Sequence, residues 1–546
     1  MMDKKTILVL VSCVAVIMGG QFLIGKLFPP VPKPPAPAMT NAMPSTVAAA
    51  TNALGTPGVA APAVPKAPAQ PRPPEQIVAL SNQFIRVEFT SWGGGIRSIE
   101  LLKHQADKHS HVVLNADAPA PALTLAEIDG PDAVYEVTPS GPLSVTFRRR
   151  DGAVTKEFSL GTDYVLHGRM QVSGAASQTV TLVIGMAAPA NAREATQFLG
   201  VDWLTTKFVA RDFGTITKNV AKDIRREVVE SPWVAVKSQF FTMVVTPTTN
   251  AVAVGYQITS LPQPADWSSK VPRQGVTASL AMPPTLVSGG VPTYDFMLYA
   301  GPKEYKRLLA LGKGQEEVMA FGMWGLISVL LLKGLNFFHA LIPNYGVAII
   351  LVTIVMKIIL WPLQAKSVKS MKAMQKFQPH MAKLKEKYKD DKQRLNQETM
   401  KLYKEHKINP ASSCLPMLVQ FPVFIAFYST LQSAIELRGA PFLWISDLSQ
   451  PDTIFTIAGL PVNPLPLLMT GSIFWQQKLT PSTGDKQQMM MMMVLMPVMM
   501  LFFLYNRSSG LALYWTMQQV LSIVQQWWTL RKPDSSGPAP VVIKAK

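Results

Sequence analysis

The chain has 546 residues, of which 48% are apolar and only 16% are charged. Soluble domains carry about 25% charged residues, so this low charged fraction points to a membrane protein with a soluble part attached. The net charge of +18 fits nucleic acid, anionic lipid or cytoplasmic loops that follow the positive-inside rule. The two cysteines, Cys13 and Cys414, lie in or beside apolar runs and do not indicate a disulfide framework.

An uncharged run of 20 residues, 6–25, follows Lys4 and Lys5 at the N-terminus. At about 1.5 Å per residue, this run is long enough to cross about 30 Å of hydrocarbon. A cleaved signal peptide is the alternative, and Cys13 loosely resembles a lipoprotein cleavage site. The run continues well past Cys13 and lacks a small-residue cleavage site. We therefore predict an uncleaved transmembrane anchor over residues 1–28, with its N-terminus in the cytoplasm.

The next two segments differ sharply in composition. Residues 29–74 hold 14 prolines and no acidic residue, which predicts an extended linker without a core. Residues 75–310 contain short alternating segments separated by Gly and Pro, such as Ile85-Arg86-Val87-Glu88-Phe89. This pattern predicts a soluble, mainly β domain of the sandwich type. Because the domain follows the first span, we expect residues 29–344 to lie outside the cytoplasm.

Residues 321–342 are apolar enough to form a span, but their polar and small residues fall within one helical stripe of about 140° at roughly 100° per residue. The stripe predicts an amphipathic helix that lies in the membrane interface. Its members are Gly322, Gly325, Ser328, Lys333, Asn336 and His339.

Five further spans are predicted in the C-terminal part, at residues 345–363, 416–437, 460–478, 489–505 and 509–530. With the anchor there are six, so the loop 364–410 and the short tail 532–546 lie in the cytoplasm. The loop carries 13 Lys and Arg against five acidic residues, as the positive-inside rule requires. A seventh span at 321–342 would place this loop outside, which is why we prefer the interfacial helix.

The loop 364–410 itself has apolar residues at helical spacing, interrupted at Lys389-Asp390-Asp391-Lys392. This predicts a cytoplasmic helical hairpin. It could be a solvated hairpin held near anionic lipid, a contact site for incoming chains, or both. Sequence-specific nucleic-acid binding is disfavoured, because no aromatic interleaving or recognised binding module accompanies the lysines.

Lys357 places a cation inside the apolar run Thr353–Leu360. A central charge costs about 2.5–3.5 kcal/mol on insertion scales, so the side chain should face a bundle interior or snorkel to the nearby inner interface. Gln420 and Gln518 bring polar groups into other spans, whereas the nearest acid, Glu436, lies at an outer end. A cation with polar neighbours and no carboxylate predicts a hydrated, positively charged cavity between helices.

Several motifs between residues 321 and 530 occur in a specific order. They are Trp361-Pro362-Leu363, Asp390-Asp391-Lys392-Gln393-Arg394, Ile408-Asn409-Pro410, Gln420-Phe421-Pro422-Val423-Phe424, Glu436-Leu437-Arg438-Gly439-Ala440-Pro441-Phe442 and Ser509-Gly510-Leu511-Ala512-Leu513-Tyr514-Trp515. With these motifs the chain resembles the YidC family of membrane protein insertases, in its Gram-negative form with a large periplasmic domain. The anchor, linker and β domain match that family in layout rather than in residues.

The resemblance implies a multi-pass α-helical protein of the bacterial inner membrane, with a five-helix insertase core over residues 343–531 and a periplasmic β-supersandwich. It implies a hydrophilic groove in which Lys357 stands where the family has a characteristic Arg. Lys keeps the charge but lacks the planar, bidentate fork of Arg. Gln420, Tyr514, Trp515 and Gln518 match groove-lining positions or their neighbours. The candidate client contacts are Phe421, Pro422 and Phe424.

The function implied is the insertion and assisted folding of nascent inner-membrane proteins, alone or with the Sec translocon. The ribosome and anionic lipids are further candidate partners, and no catalytic residue, cofactor or metal is expected. A transporter would show intramembrane carboxylates or inverted repeats, and we find neither pattern. A membrane-anchored periplasmic enzyme is the other alternative, with His104, His109 and His111 as metal ligands, although a solvated loop explains them better. Met489–Met493, Met496, Met499 and Met500 suggest either a compliant client contact or ordinary packing.

Overall fold

The computed structural model describes residues 73–531 except 108, 131–132, 174–178, 206–208, 212–224, 265–266, 268–270, 287–290, 377, 389–390, 406–410, 458–459 and 480–485. The predicted N-terminal anchor, nearly all of the linker and the short tail lie outside the described residues.

The N-terminal half of the described chain is built from antiparallel strands, in which alternate residues are buried, as in the pattern of Val154–Leu160. The strands are β1 (Ile77–Ser81), β2 (Ile85–Thr90), β3 (Gly95–Gln105), β4 (His111–Leu114), β5 (Thr124–Leu125), β6 (Tyr135–Gly141), β7 (Ser144–Arg149), β8 (Val154–Leu160), β9 (Val165–Val172), β10 (Val180–Ala187), β11 (Gly200–Leu204), β12 (Val209–Arg211), β13 (Arg225–Ser231), β14 (Val234–Lys237), β15 (Phe241–Pro247), β16 (Ala251–Ser260), β17 (Gln274–Met282), β18 (Thr285–Leu286) and β19 (Pro292–Pro302).

These strands form three sheets. The first has the order β1-β2-β3-β4, and the second has the order β13-β16-β17-β10-β5. The third runs β12-β11-β14-β15-β19-β9-β8-β7-β6, with β18 paired to β19. Strand β14 of the third sheet contacts β10 and β17 of the second, and Trp233, Val244 and Leu280 are fully buried. The prediction of a mainly β domain is therefore confirmed.

The remaining elements are mostly helical. They are α1 (Ala192–Gln197), α2 (Tyr305–Leu311), α3 (Gly325–Leu341), α4 (Tyr345–Lys376), α5 (Gln378–Lys387), α6 (Lys392–Glu405), α7 (Ala411–Ser433), α8 (Pro464–Leu479), α9 (Lys486–Leu504) and α10 (Ser509–Arg531). Short 3-10 turns cover Gln315–Met319, Gly322–Trp324 and Ile435–Leu437, and a hairpin pairs β20 (Phe455–Ile457) with β21 (Leu460–Val462). We call α3 to α10 the helical core.

Several helix boundaries differ from the predicted spans, as in α7, which covers Ala411–Ser433 rather than 416–437. Helix α4 does not end near residue 363 but continues through Pro362 as far as Lys376. The span predicted at 460–478 begins later, at Pro464, because residues 460–462 form β21. Proline suits the first position of a helix, since its missing N–H has no partner to lose there. The interruption predicted at 389–392 falls between α5 and α6, which contact one another.

Helix α3 has two apolar faces. Leu331, Leu332 and Leu335 are buried, and the helix contacts α4 and α7. The predicted polar stripe is divided, because Ser328 is buried whereas Lys333 is exposed. Four exposed apolar residues of α3 lie within about 60° on the face opposite the leucines: Leu326, Leu330, Phe337 and Leu341.

By length and composition alone, two stretches of the described residues could cross a membrane. They are Gly322–Leu341, with a mean hydropathy of 1.4, and Tyr345–Ala365, with a mean hydropathy of 2.4. The first stretch contains α3, so the interfacial placement of that helix stays a prediction.

Candidate functional site

Lys357 lies on α4 and is only 3% exposed. Its Nζ donates a hydrogen bond of 2.7 Å to Oγ of Ser522 on α10. The Ser522 hydroxyl in turn donates to the backbone carbonyl of Gln518, also at 2.7 Å. Among the described residues no carboxylate forms an ion pair with Lys357. The ammonium group is therefore turned toward a neighbouring helix and is held by a neutral hydroxyl.

Tyr514, Gln518 and Ser522 are spaced four residues apart and so share one face of α10. Gln420 on α7 bridges the first two, because its Nε2 donates to the Tyr514 hydroxyl at 3.1 Å and its Oε1 accepts from Gln518 Nε2 at 3.3 Å. Lys357 joins the same row from α4 through Ser522. We call these five residues the polar cluster, and it links three helices.

Aromatic rings of α7 pack against Tyr514 of this cluster and against its neighbour Trp515. The Tyr514 ring stacks on Phe427 with centroids 4.0 Å apart, and the Trp515 ring meets Phe424 edge-on at 4.8 Å. Trp515 Nε1 is buried without a hydrogen-bond partner in the described part of the chain. The structure thus brings the predicted groove residues Tyr514 and Trp515 together with α7, but only Tyr514 joins the hydrogen-bonded row.

The candidate client contacts differ in exposure. Phe421 is 58% exposed, whereas Pro422 and Phe424 are half-buried. On α9, Met499 is exposed and Met500 is half-buried. The side chains at 489–492 lie outside those that the structure describes.

Two polar residues of α10 belong to this site but were not predicted from the sequence. Ser522 is the hydrogen-bond partner of Lys357, and the buried Gln525 donates through Nε2 to the backbone carbonyl of Trp361 at 3.2 Å. Ser522 could have been found, because it follows Gln518 by one helical turn. The bond to a carbonyl of α4 depends on packing between helices and has no local signal.

The histidines of the β domain have other partners. His104 Nε2 lies 3.1 Å from the Tyr164 hydroxyl, and His111 Nδ1 lies 2.9 Å from Glu100 Oε1. Burial lowers the pKa of His104 to about 4, with help from the positive charges of Arg438 and Arg307. No group of three or more potential metal ligands occurs among the described residues.

The comparisons with known proteins divide the chain in the same way. Residues 77–333 match the family model described as the YidC periplasmic domain, and residues 337–536 match the model described as 60Kd inner membrane protein. The chain is thus an integral inner-membrane protein with a periplasmic β domain and a helical core.

Relatives along nearly the whole length identify the family. The membrane protein insertase YidC of Pelobacter propionicus is 34% identical over 566 residues, covering 96% of this chain and 99% of the relative. The YidC of Cupriavidus necator is 32% identical over 542 residues, covering 93% of this chain and 92% of the relative. The chain belongs to the YidC family of membrane protein insertases, as its motifs predicted. The predictions that it is not an enzyme and that it inserts membrane proteins are confirmed by this membership.

Solved structures resemble the chain more distantly. An active YidC insertase structure with its first transmembrane domain resolved is 19% identical, with a TM-score of 0.35. The match covers 82% of this chain and 91% of the chain in that structure. A mutarotase-like protein (YeaD) from Salmonella typhimurium is 8% identical, with a TM-score of 0.28. The match covers 41% of this chain and 90% of the mutarotase-like chain.

Proposed function

We propose that the chain inserts nascent membrane proteins by admitting their polar or acidic extramembrane segments into a positively charged groove centred on Lys357. The observation that carries this proposal is the buried ammonium group, which hydrogen-bonds a neutral hydroxyl and no described carboxylate. The described residues of the chain therefore leave the charge of this ammonium group unneutralised. The proposal includes assistance to client folding, alone or beside the Sec translocon.

The electrostatics support such a role. An ammonium group has three N–H donors, and Ser522 takes one of them. At about 4 Å, a client carboxylate would gain roughly 4 kcal/mol for an effective dielectric constant near 20. This is comparable to the cost of placing a single charge in a membrane helix. Gln420 and Gln518 add neutral polar groups that can stand in for the water lost by a polar segment.

The path for apolar client helices follows from the exposed surface of α7 and α9. Phe421 on α7 and Met499 on α9 are exposed, and the two helices approach each other at Tyr428 and Phe503, whose ring centroids are 6.3 Å apart. We propose that client helices leave the groove along this surface, while their polar segments pass Lys357.

The proposal includes a membrane arrangement. Helices α4, α7, α8, α9 and α10 would form the five-helix insertase core, with α3 in the outer interface and the β domain in a supersandwich fold. Both termini and the α5–α6 hairpin would lie in the cytoplasm, where the basic hairpin meets anionic lipid, incoming chains or the ribosome.

Depletion of the resident insertase, with variants supplied in its place, tests the groove. Lys357→Ala should lower insertion of clients with acidic translocated segments, and Lys357→Arg should retain it, because Arg keeps the charge. Clients with uncharged translocated segments should respond less. Lys333→Ala, which removes an exposed lysine of α3, is the matched control. Full activity of Lys357→Ala on every client would refute a charge-based role.

Crosslinking tests whether clients reach the groove. Photoreactive residues at positions 420 and 518, which leave the Lys357 charge in place, should give adducts with ribosome-bound nascent chains, with acidic segments favoured over uncharged ones. Position 333 provides the control on an exposed surface outside the polar cluster. Adducts of equal yield from all three positions would argue against a groove.

A further inference from the structure

A crevice of about 620 Å³ lies between α1 of the β domain and the turn that follows α9. The two sides are tied together by Arg507, whose Nη1 donates to Oε1 of Gln197 at 2.6 Å. Because the β domain is periplasmic, this contact places the end of α9 at the periplasmic surface of the membrane. We call this space the outer crevice.

The outer crevice is lined by two guanidinium groups, those of Arg193 and Arg507, and by the side-chain amides of Gln197 and Asn506. No carboxylate lines it among the residues that the structure describes. The neighbouring Glu194 uses its carboxylate elsewhere, because its oxygens accept the backbone N–H groups of Ala190 and Gln239 at 2.8 and 2.7 Å. The described lining of the crevice therefore carries two guanidinium groups and no carboxylate.

The two cations influence each other. Burial lowers the pKa of Arg193, and the positive charge of Arg507 lowers it further. Arg193 also donates through Nη2 to Oε1 of Gln432 on α7 at 3.0 Å, so its guanidinium is held in place at the junction with the helical core. An anion between the two arginines would relieve their mutual repulsion.

The membrane side of the crevice is aromatic. Phe502 is 89% exposed and Phe503 is 42% exposed, in the last turn of α9. The guanidinium carbon of Arg507 lies 5.4 Å from the Phe503 ring centroid. Because Phe carries no polar group, these exposed rings are suited to contact with acyl chains rather than with water. A ligand that fills this site should have an anionic head and an apolar tail.

We propose that the outer crevice binds the headgroup phosphate of an anionic phospholipid in the periplasmic leaflet. Arg193 and Arg507 contact the phosphodiester oxygens, for which the planar guanidinium is well suited, and an acyl chain lies against Phe502. A zwitterionic headgroup is disfavoured, because no carboxylate of the described lining can receive its ammonium group. The bound lipid would join α1 of the β domain to the α9–α10 turn, and the site is independent of Lys357.

Native mass spectrometry of the full chain in detergent, titrated with dioleoyl phosphatidylglycerol or dioleoyl phosphatidylcholine, tests the proposal. We expect phosphatidylglycerol to bind more tightly, and Arg193→Gln and Arg507→Gln to weaken its tightest site roughly tenfold each, as expected for a lost charge-assisted bond. Arg531→Gln is the matched control, because Arg531 lies at the other end of α10 and also packs on an aromatic ring. Its guanidinium carbon is 3.7 Å from the ring centroid of Trp527. Unchanged lipid preference in both crevice variants would overturn the proposal.

Competition and crosslinking distinguish a lipid from other anions. Inorganic phosphate at millimolar concentration should not displace phosphatidylglycerol, because it lacks the apolar tail, and displacement would indicate a site for free anions. A photoreactive residue at position 502 should form adducts with the lipid in vesicles. Adducts with an acidic nascent chain instead of lipid would contradict the proposal. Arg507→Lys, which keeps the charge, should retain part of the affinity, and gel filtration confirms that each variant is folded.

Discussion

The ammonium group of Lys357 is held by the hydroxyl of Ser522, at 2.7 Å across the α4–α10 interface. The partner is neutral, so the hydrogen bond fixes the position of the cation without cancelling its charge. A carboxylate in the same place would hold the lysine more strongly, but it would also neutralise the charge to which we assign client binding in the proposed function. The pair therefore separates two roles, because Ser522 positions the charge and Lys357 supplies it.

Replacing Ser522 with Ala tests this separation. The variant should keep insertion of acidic clients within about twofold, because the charge remains. Unfolding in detergent should become easier by about 1.5–3 kcal/mol, because one charge-assisted hydrogen bond is lost. The measurements are client insertion during depletion and denaturant unfolding of the purified chain. Insertion as poor as in Lys357→Ala would show that placement of the ammonium matters more than its charge.

The site could be predicted from the sequence to the extent that its members interrupt apolar runs. Lys357, Gln420 and Gln518 do so conspicuously, whereas a serine such as Ser522 is common in apolar helices because it can bond to its own backbone. Which helix faces which cannot be deduced from hydropathy. The contact between Lys357 and Ser522 spans 165 residues of sequence and depends on packing between α4 and α10.

The junction between the β domain and the helical core gives a second prediction. Gln239 is buried, and its Nε2 donates to the backbone carbonyl of Gln432, near the end of α7, at 3.0 Å. Gln239→Leu removes this donor, so hydrogen exchange should become faster in the adjoining turn, Ile435–Leu437, by roughly tenfold for a loss of about 1.4 kcal/mol. Gln171→Leu, an exposed position of β9, should leave that turn unchanged. Equal exchange in both variants would contradict a docking role for Gln239.

A buried ion pair in the β domain gives a third prediction. The Lys156 ammonium contacts the Asp129 carboxylate, both side chains are fully buried, and Lys156 Nζ also donates to the carbonyl of Gly93 at 2.8 Å. Lys156→Met leaves a buried carboxylate without its cation and should lower the free energy of unfolding by about 3–5 kcal/mol. Adding Asp129→Asn should recover part of the loss, because it removes the unpaired charge.

The exposed pair Arg169 and Asp295, joined at 2.7 Å, provides the matched control for this experiment. Arg169→Met should cost less than about 1 kcal/mol, because exposed ion pairs contribute little. Denaturant unfolding of the full chain measures all three variants. Equal destabilisation by Lys156→Met and Arg169→Met would show that burial does not set the strength of the first pair.

Strand β8 illustrates what the sequence pattern does and does not convey about the fold. Val154, Lys156, Phe158 and Leu160 alternate with exposed or half-buried residues, and all four are buried. The period of two is enough to place a lysine on the core face of the strand. Its partner, Asp129, lies 27 residues earlier in sequence, outside any named strand. Alternation therefore predicts that Lys156 needs a partner, but the identity of that partner depends on the order of strands in the sheet.

The β domain should lose stability in acid through His104. The pKa of this side chain is lowered from 6.5 to about 4, chiefly by burial, so below pH 6.5 the unfolded chain takes up a proton that the folded chain refuses. Stability is therefore complete above pH 6.5 and falls as the pH is lowered toward 4, by about 1–2 kcal/mol once solvent screening of this half-buried side chain is allowed for. His104→Gln, which can still bond to the Tyr164 hydroxyl, should lack this part of the pH dependence. His167→Gln, at an exposed position of β9, should retain it. Denaturant unfolding of the full chain at several pH values between 4 and 7 measures the difference, and parallel profiles for the wild-type chain and His104→Gln would rule out His104 as the titrating group.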